Sequence, residues 1–311
     1  MEKNIDVVLV TFNRLEKLKH CLECYDKQTV SFRNLIVVNN CSTDGTKEFL
    51  ADYKCQEHKF NVHIIHLNSN IGGSGGFHCG QEYALALSPD WILLADDDAY
   101  AERDLIKRFN EFIDNIDVSK VSAICTAVKR VDSSLDLFHR QVKDSLLTLR
   151  IGRNVPESFY NKPYFEIDFL SYVGAFLNAK VLEKAGLGCG DFFIYFDDSE
   201  HSIRLKKYGK IICVPKLIYT HDSGQLTDAR DKTLVATWRD YYAWRNVIYM
   251  CKKHMPLKAF CITLLELIRF LVSKTLSREA KKVHWRGIVD GWNGKLGLHN
   301  LYKPGWQAKR V

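Results

Sequence analysis

The chain has 311 residues, 46% hydrophobic and 26% charged, which allows one large domain with an appendage and a sizeable core. Its net charge of +7 is unevenly spread: residues 226–311 hold 17 Lys and Arg against 6 Asp and Glu, while residues 1–225 are net negative. A neutral to acidic body with a basic tail argues against a nucleic-acid binder and suits a catalytic body with a surface-seeking C-terminal part.

Glu2, Lys3, Asn4 and Asp6 interrupt any secretory leader, so none is expected. Ten cysteines are scattered without a framework of short spacings, which predicts reduced thiols and a cytoplasmic protein. Cys21-x-x-Cys24 has no second pair or nearby histidine and falls in a helical pattern, so it reads as two small helix residues.

In chain order, IDVVLVTFN is a β-branched apolar run and predicts a buried strand. RLEKLKHCLECYDKQ follows with helical spacing at Leu15, Leu18, Leu22 and Tyr25. NLIVVNNCSTDG is a second strand with its loop, TKEFLADYK a helix, and NVHIIHLN a third strand. SNIGGSGGFHCGQEYALAL reads as a glycine loop entering a helix, and DWILLADDD as a fourth strand. Alternation of strand and helix over the first hundred residues predicts a mainly parallel sheet in an α/β layered domain. Ligands bind beyond the carboxyl ends of such strands, and every unusual polar cluster falls there.

VSAICTAV is a further strand, and residues 130–167 lack periodicity and predict a loop or extended segment on the acceptor side. DFLSYVGAFLNAKVLEKAG reads as strand, turn and helix; DFFIYFDDSEHSIRLKKYG places a second acidic cluster at a helix start; KIICVPKLIYTHDSG is a late strand ending in His221. The last segments, RDYYAWRNVIYMCKKH and LKAFCITLLELIRFLVSKTL, are helical. In the latter, Leu257, Phe260, Leu264, Ile268, Leu271 and Val272 form one stripe, and Lys258, Glu266, Arg269 and Lys274 prevent a spanning helix. The stripe suits either a helix packed on the body or an interfacial helix lying on a membrane.

The chemistry rests on carboxylates. Asp96, Asp97 and Asp98 end a buried strand, where unpaired charge is costly. A divalent metal is the simplest stabiliser, because hard cations take oxygen ligands. Strand alternation would put Asp96 and Asp98 on one side as a ligand pair and Asp97 on the other, free for a sugar hydroxyl or a basic group. His221 at a later strand end is a third candidate ligand. Asp197, Asp198 and Glu200 form the second cluster; carboxylates at a helix N-terminus are favoured by the dipole, and one of them could take a proton from an attacking hydroxyl. Phe192, Phe193, Tyr195 and Phe196 beside it supply either a sugar-stacking surface or core. NIGGSGGF is neither a Walker A loop nor a dinucleotide fingerprint, though its amides could accept a phosphate.

VVLVTFNR, IVVNNCSTDGT, NSNIGGSGGF, ADDDA, FFIYFDDSEHSIR and THDSG occur in the order seen in family 2 glycosyltransferases, which residues 5–225 resemble. FNR, GGSGGF, the triple Asp and DDSE look most like the galactofuranosyltransferase branch, and rhamnosyltransferases are similar. The resemblance implies the GT-A nucleotide-diphospho-sugar transferase fold over residues 1–225, a Rossmann-like sandwich; charge and helical spacing add a basic helical region over 226–311. It implies an inverting enzyme that uses Mn²⁺ or Mg²⁺ and a nucleotide sugar, UDP-galactofuranose or, as the runner-up, dTDP-rhamnose. By the same likeness Thr11, Phe12, Asn13 and Arg14 line the uridine pocket, with Asn39 where the family commonly has Asp. Asn70, Gly72, Gly73, Gly75 and Gly76 border the diphosphate and sugar, and Asp97 lies near the ribose or sugar. Asp96, Asp98 and His221 hold the metal; Asp198, with Asp197 next, is the base, and Glu200 orients the acceptor.

The acceptor is then a glycan or lipid-linked glycan in cell-surface polysaccharide synthesis. Anionic lipids attract a basic segment by about 1 kcal/mol per Lys or Arg, so 226–311 predicts a peripheral enzyme on the inner face of the cytoplasmic membrane. A pyrophosphorylase of related fold would carry a glycine-rich Arg and Lys loop after the first strand, which TFNRLEK lacks. A non-catalytic carbohydrate binder would have no need of paired acidic clusters.

Overall fold

A computed structural model describes residues 3–223 and 235–308. The first four strands are β1 (Ile5–Thr11), β2 (Asn34–Asn39), β3 (Asn61–His66) and β4 (Trp91–Asp96), joined by helices α1 (Leu15–Asp26), α2 (Thr46–Lys54) and α3 (Gly72–Ala86). All pairings among these strands are parallel, in the order β3-β2-β1-β4. Each strand is short, apolar and β-branched, and successive side chains go to opposite faces. Thus Val7 and Leu9 pack with Leu18, Leu22 and Tyr25 of α1, while Val8 and Val10 pack with Phe77 and Ala84 of α3.

The sheet then continues through a short β5 (Ala99–Ala101), helix α4 (Leu105–Asp114) and β6 (Val121–Arg130). The irregular middle holds only short strands: β7 (Arg140–Lys143), β8 (Gly152–Asn154), β9 (Phe165–Ile167) and β10 (Phe169–Leu170). β10, β7 and β8 form a separate small antiparallel sheet. Strand β11 (Ala175–Asn178), helices α5 (Ala179–Ala185) and α6 (Asp197–Leu205), and strand β12 (Lys210–His221) complete the body. β11 inserts antiparallel between β4 and β6, and β12 lies parallel to β6, so the main sheet is mixed, with a parallel majority.

Three helices follow: α7 (Trp238–His254), α8 (Pro256–Val272) and α9 (Arg278–Trp292). The boundary expected near residue 225 falls in 224–234, outside the described residues. α7 shares a core with the body: Val247, Ile248 and Cys251 pack with Phe169 and Phe192. Among the described residues no helix is long and apolar enough to cross a membrane.

The glycine run differs from the loop expected of it. Helix α3 starts at Gly72, so Gly73, Gly75 and Gly76 lie inside its first turns. The reason is packing. A Cβ on Gly76 would come within 2.6 Å of Val10, and one on Gly80 within 2.3 Å of Val8, so the glycines let the helix lie close on β1. Gly72 combines a φ of +79° with a site where a Cβ would sit 2.0 Å from the Phe193 carbonyl oxygen.

Urea unfolding separates these roles. Gly80→Ala should lower stability by about 1–3 kcal/mol through overpacking. Gly73→Ala, with nothing within 4 Å of its new methyl, should gain up to about 1 kcal/mol in helix propensity. Equal effects from the two changes would remove the packing account.

Candidate active site

β4 ends at Asp96, and Asp97 and Asp98 form the turn into β5. Strand alternation therefore stops one residue short of the division it was expected to make. Instead, one guanidinium holds both turn carboxylates: Arg14 Nη1 donates to Asp97 Oδ1 at 3.0 Å and to Asp98 Oδ2 at 2.6 Å. Asp97 is buried and turned into the protein. Its Oδ2 accepts from Thr11 Oγ1 at 2.8 Å and from the Phe12 amide at 3.4 Å. It pins the end of β1 to the end of β4, an arrangement that leaves it little to offer a ribose or sugar. Arg14, expected in the uridine pocket, is the counter-cation of the acidic turn.

The charges remain under-neutralised. Burial, with Asp98 and Asp97 adding, pushes the Asp96 carboxyl up to about 7. Burial raises Asp97 to about 6 despite Arg14. Asp98 is held below the usual range: burial opposes this, but His221 and Arg14 prevail. His221 Nε2 lies 3.4 Å from Asp98 Oδ1, and its Nδ1 is buried without a hydrogen-bond partner. Carboxylate oxygens with one imidazole are a donor set that suits a hard or borderline divalent cation. Three carboxylates facing one guanidinium and one imidazole leave charge that such an ion would balance, although among the described residues the ligand atoms that gather within 4.8 Å of one another are those of Asp136, His139 and His221 rather than those of Asp96, Asp98 and His221.

The remaining loops at the carboxyl ends of the strands are held to one another. Asn13, at φ +51°, accepts from the Thr43 amide at 2.7 Å, and its own amide donates to Ser42 Oγ. Asn39 is buried; its Oδ1 accepts from the Ser42 amide and its Nδ2 meets His66. Asn70 Oδ1 accepts from the Gly72 amide and from Asn40 Nδ2. Phe12 and Gly73 are exposed at this edge, whereas Gly72, Gly75 and Gly76 are buried against the protein.

The second acidic cluster opens α6. The backbone ahead of it is strained, with φ of +67° at Phe193 and +68° at both Tyr195 and Phe196. Such conformations cost about 1–3 kcal/mol each in a non-glycine residue. They are held from α7: Asn246 Nδ2 donates to the carbonyls of Phe192, Ile194 and Tyr195, and the buried Arg245 donates to that of Phe192. Of the aromatic residues there, Phe192 and Phe193 are core, while Tyr195 is exposed.

Asp197 faces Ser74 of α3; burial and the charge of Asp198 push it up to about 8, with Asp96 adding to the rise. Asp197 is thus near enough to the acidic turn to feel the charge of Asp96. Asp198 is raised to about 6 by burial, against hydrogen bonds from Ser199, whose amide donates to its Oδ1 at 2.6 Å. Glu200 does not join them. It is buried on the other side of α6, bound by Arg204 at 2.8 Å, His254 at 2.8 Å and Lys253 at 3.2 Å, and ties α6 to the end of α7. That placement does not suit an acceptor-orienting group.

Four residues escaped the sequence reading. Asp136 and His139 bring ligand atoms within 4.8 Å of one another and of His221, in a segment without periodicity. Arg140 is fully buried and donates to the carbonyls of Thr126 and Val173. The DLFHR pentapeptide, with its charges and imidazole, was the only local signal for Asp136, His139 and Arg140. Asn40, adjacent to Asn39, binds Asn70, Gly72 and Ile71 at once and organises the loop before α3.

The family model for glycosyl transferase family 2 matches residues 6–186. The chain belongs to glycosyl transferase family 2. Among family 2 relatives, the dTDP-rhamnosyl transferase RfbF of Shigella flexneri is 24% identical over 96% of this chain and 98% of its own. Galactofuranosyltransferase GlfT1 of Mycobacterium tuberculosis is 35% identical over 106 residues, 33% of each chain. Solved structures share the GT-A architecture. Staphylococcus aureus TarS 1–349 in complex with UDP aligns at a TM-score of 0.59 and 17% identity, over 93% of this chain and 80% of that one. The mannosyltransferase PcManGT from Pyrobaculum calidifontis in complex with GDP-Man and Mn²⁺ aligns at 0.55 and 13%, over 94% and 87%. The protein is accordingly a glycosyltransferase of GT-A fold.

Glu200 supplies a stability test. Burial would raise its carboxyl, but His254 and Arg204 hold it down at about 2, below the ordinary 4.5. Its contribution is therefore full above about pH 4.5 and is lost as pH falls towards 2. A difference of that size is worth about 3 kcal/mol. Glu200→Gln should be less stable than wild type by about this amount at pH 7 in denaturant unfolding, and the gap should shrink below pH 4.5. A gap independent of pH would rule out the charge account.

Proposed function

We propose that the protein is a metal-dependent inverting glycosyltransferase that moves a sugar from a nucleotide diphosphate to a hydroxyl of a glycan or lipid-linked glycan in cell-surface polysaccharide synthesis. The reading is supported by the family 2 match together with two acidic clusters, Asp96 to Asp98 after β4 and Asp197–Asp198 at the start of α6, with the charge of Asp96 adding to the rise of Asp197. One cluster suits a leaving diphosphate with its cation, the other an attacking hydroxyl.

Asp96, Asp98 and His221 would hold Mn²⁺ or Mg²⁺. Bound there, the ion would supply stabilisation of the negative charge that develops on the departing diphosphate. Thr11, Phe12, Asn13 and Asn39 form the nucleotide side, with Asn70 and Gly73 at the diphosphate edge. Asp97 and Arg14 keep that side in register. Asp198 takes the proton of the acceptor hydroxyl as the oxygen attacks the anomeric carbon; the bond to the diphosphate breaks and the configuration inverts. No covalent intermediate on the protein is needed.

UDP-galactofuranose is the proposed donor, supported by the FNR, GGSGGF, triple-Asp and DDSE motifs and by the local 35% identity to GlfT1. dTDP-rhamnose is the second reading, favoured by the likeness to RfbF along nearly the whole chain. The net positive charge of residues 226–311 supports an acceptor presented at an anionic membrane face in the cytoplasm.

Nucleotide release from UDP-galactofuranose, UDP-galactopyranose, dTDP-rhamnose and UDP-glucose tests the donor. Release should occur with the first, need Mn²⁺ or Mg²⁺, and stop with a chelator; release from dTDP-rhamnose alone establishes the second reading. Asp198→Asn should lower kcat by about 10²–10⁴-fold, and unchanged turnover would reject Asp198 as the base. An ionised base is the active form, so turnover should rise with pH through a limb near 6, the position of Asp198. Because Asp197 and Asp198 are adjacent, a limb belongs to the pair, and loss of turnover in Asp197→Asn with Asp198→Asn still active would move the role to Asp197.

A further inference from the structure

Helix α8 is packed inside out. Its inward residues include Lys258 and Glu266, both buried, beside Ala259 and Ile262. Its outward residues are apolar: Leu257, Phe260, Leu264, Leu267, Ile268, Leu271 and Val272 are all exposed, Leu271 at 86% and Val272 at 70%. At 100° per residue these two sets fall on opposite faces. A helix stabilised only by packing on the body would show the reverse.

The charged face is fixed by specific partners. Glu266 accepts from His284 of α9 at 2.8 Å and pairs with Arg269 at 3.2 Å. Lys258 Nζ donates to the carbonyls of Ser145 and Thr148 at 2.6 and 2.7 Å. That clasp holds the 145–148 loop, with Leu146 and Leu147 also exposed, beside the first turns of α8. The apolar surface therefore extends past the helix. Rotating α8 to bury it would expel a lysine and a glutamate from satisfied sites, so the outward face is built in.

We propose that this face, Leu257 to Val272 with Leu146 and Leu147, docks the enzyme in the plane of an anionic lipid bilayer. Charge decides the occupant. Residues 252–286 hold nine Lys and Arg against two Asp and Glu. Lys252, Lys253, Lys274, Arg278 and Lys282 are exposed around the stripe. A second copy seated face to face would bring two such basic segments together, since an isologous contact uses the same patch twice. A surface of acidic headgroups over acyl chains matches both the charge and the apolar stripe. The helix, about 25 Å long at 1.5 Å per residue, lies along the interface. The inference sharpens the membrane-presented acceptor of the proposed function and rests on that reading only for its purpose.

Vesicle sedimentation with the full chain tests it, using phosphatidylcholine alone and with phosphatidylglycerol. Wild type should partition at least about tenfold more strongly onto the anionic vesicles, and high salt should reduce this. Leu271→Glu with Val272→Glu, at two well-exposed positions, should lower partition by at least about tenfold while the melting temperature stays the same. Leu271→Trp should shift its fluorescence to the blue on adding anionic vesicles. Unchanged partition of the double variant overturns the proposal. So does a wild-type dimer in sedimentation that the double variant dissolves, which would assign the face to a second copy. Nucleotide release with a soluble glycan acceptor reads the transfer reaction separately. Intact release with no vesicle binding defeats this inference alone.

Discussion

The interaction on which the site depends is the one at Asp97. A single buried carboxylate binds the last residue of β1, the amide after it, and the arginine that opens α1. Without it the two strand ends that carry the nucleotide side and the acidic turn would be joined only by their ladder. Three carboxylates cannot remain together at the end of an apolar strand unless something positive stands among them. Arg14 meets that need for two of them and leaves Asp96 raised and short of charge. The turn is therefore both a structural joint and a place of negative potential, and its second character follows from the first being only partly neutralised.

A second constraint comes from the C-terminal helices. Three non-glycine residues with positive φ aim α6 at the site, and α7 holds them through one amide and one guanidinium. The basic region is thus not merely an attachment to a finished body. Its inward side shapes the second acidic cluster, and its outward side carries the exposed apolar stripe. One three-helix unit carries both.

Much of this was legible in the sequence where the physics is local. Short apolar runs separated by helical spacing made β1 to β4 and the parallel sheet readable, because β1, β2 and β4 are buried on both faces, while β3 is a partly exposed edge. Both acidic clusters and His221 stood out by their cost. The failures have physical causes. Alternation assigned Asp97 and Asp98 to opposite sides, but it holds only while the chain stays extended, and here it turns after Asp96. Glycines suggested a loop, since their close approach to Val10 and Val8 is a tertiary fact with no local trace. LIKRFNEFID and REAKKVHWRGIVDGW form α4 and α9 but were not singled out. Residues 140, 245 and 246 act through carbonyls 14 to 54 positions away, a range no periodicity reports. Glu200 shared a motif with Asp198, yet two positions of helix, about 200° of turn, place them on different sides.

One contact joins the halves of the site: Gly72 at the head of α3 against the Phe193 carbonyl, with the Ser74 amide donating to that same oxygen at 3.2 Å. It is a seam of main chain on main chain. Side chains ordinarily act as spacers that drift with each substitution, widening or narrowing a cleft by a methylene at a time. Here there is no spacer to exchange. The gap between the nucleotide side and the acid that opens α6 is set by the thickness of the backbone itself. A substitution can therefore change the surface on either side of this seam without changing the main-chain contact that sets its spacing.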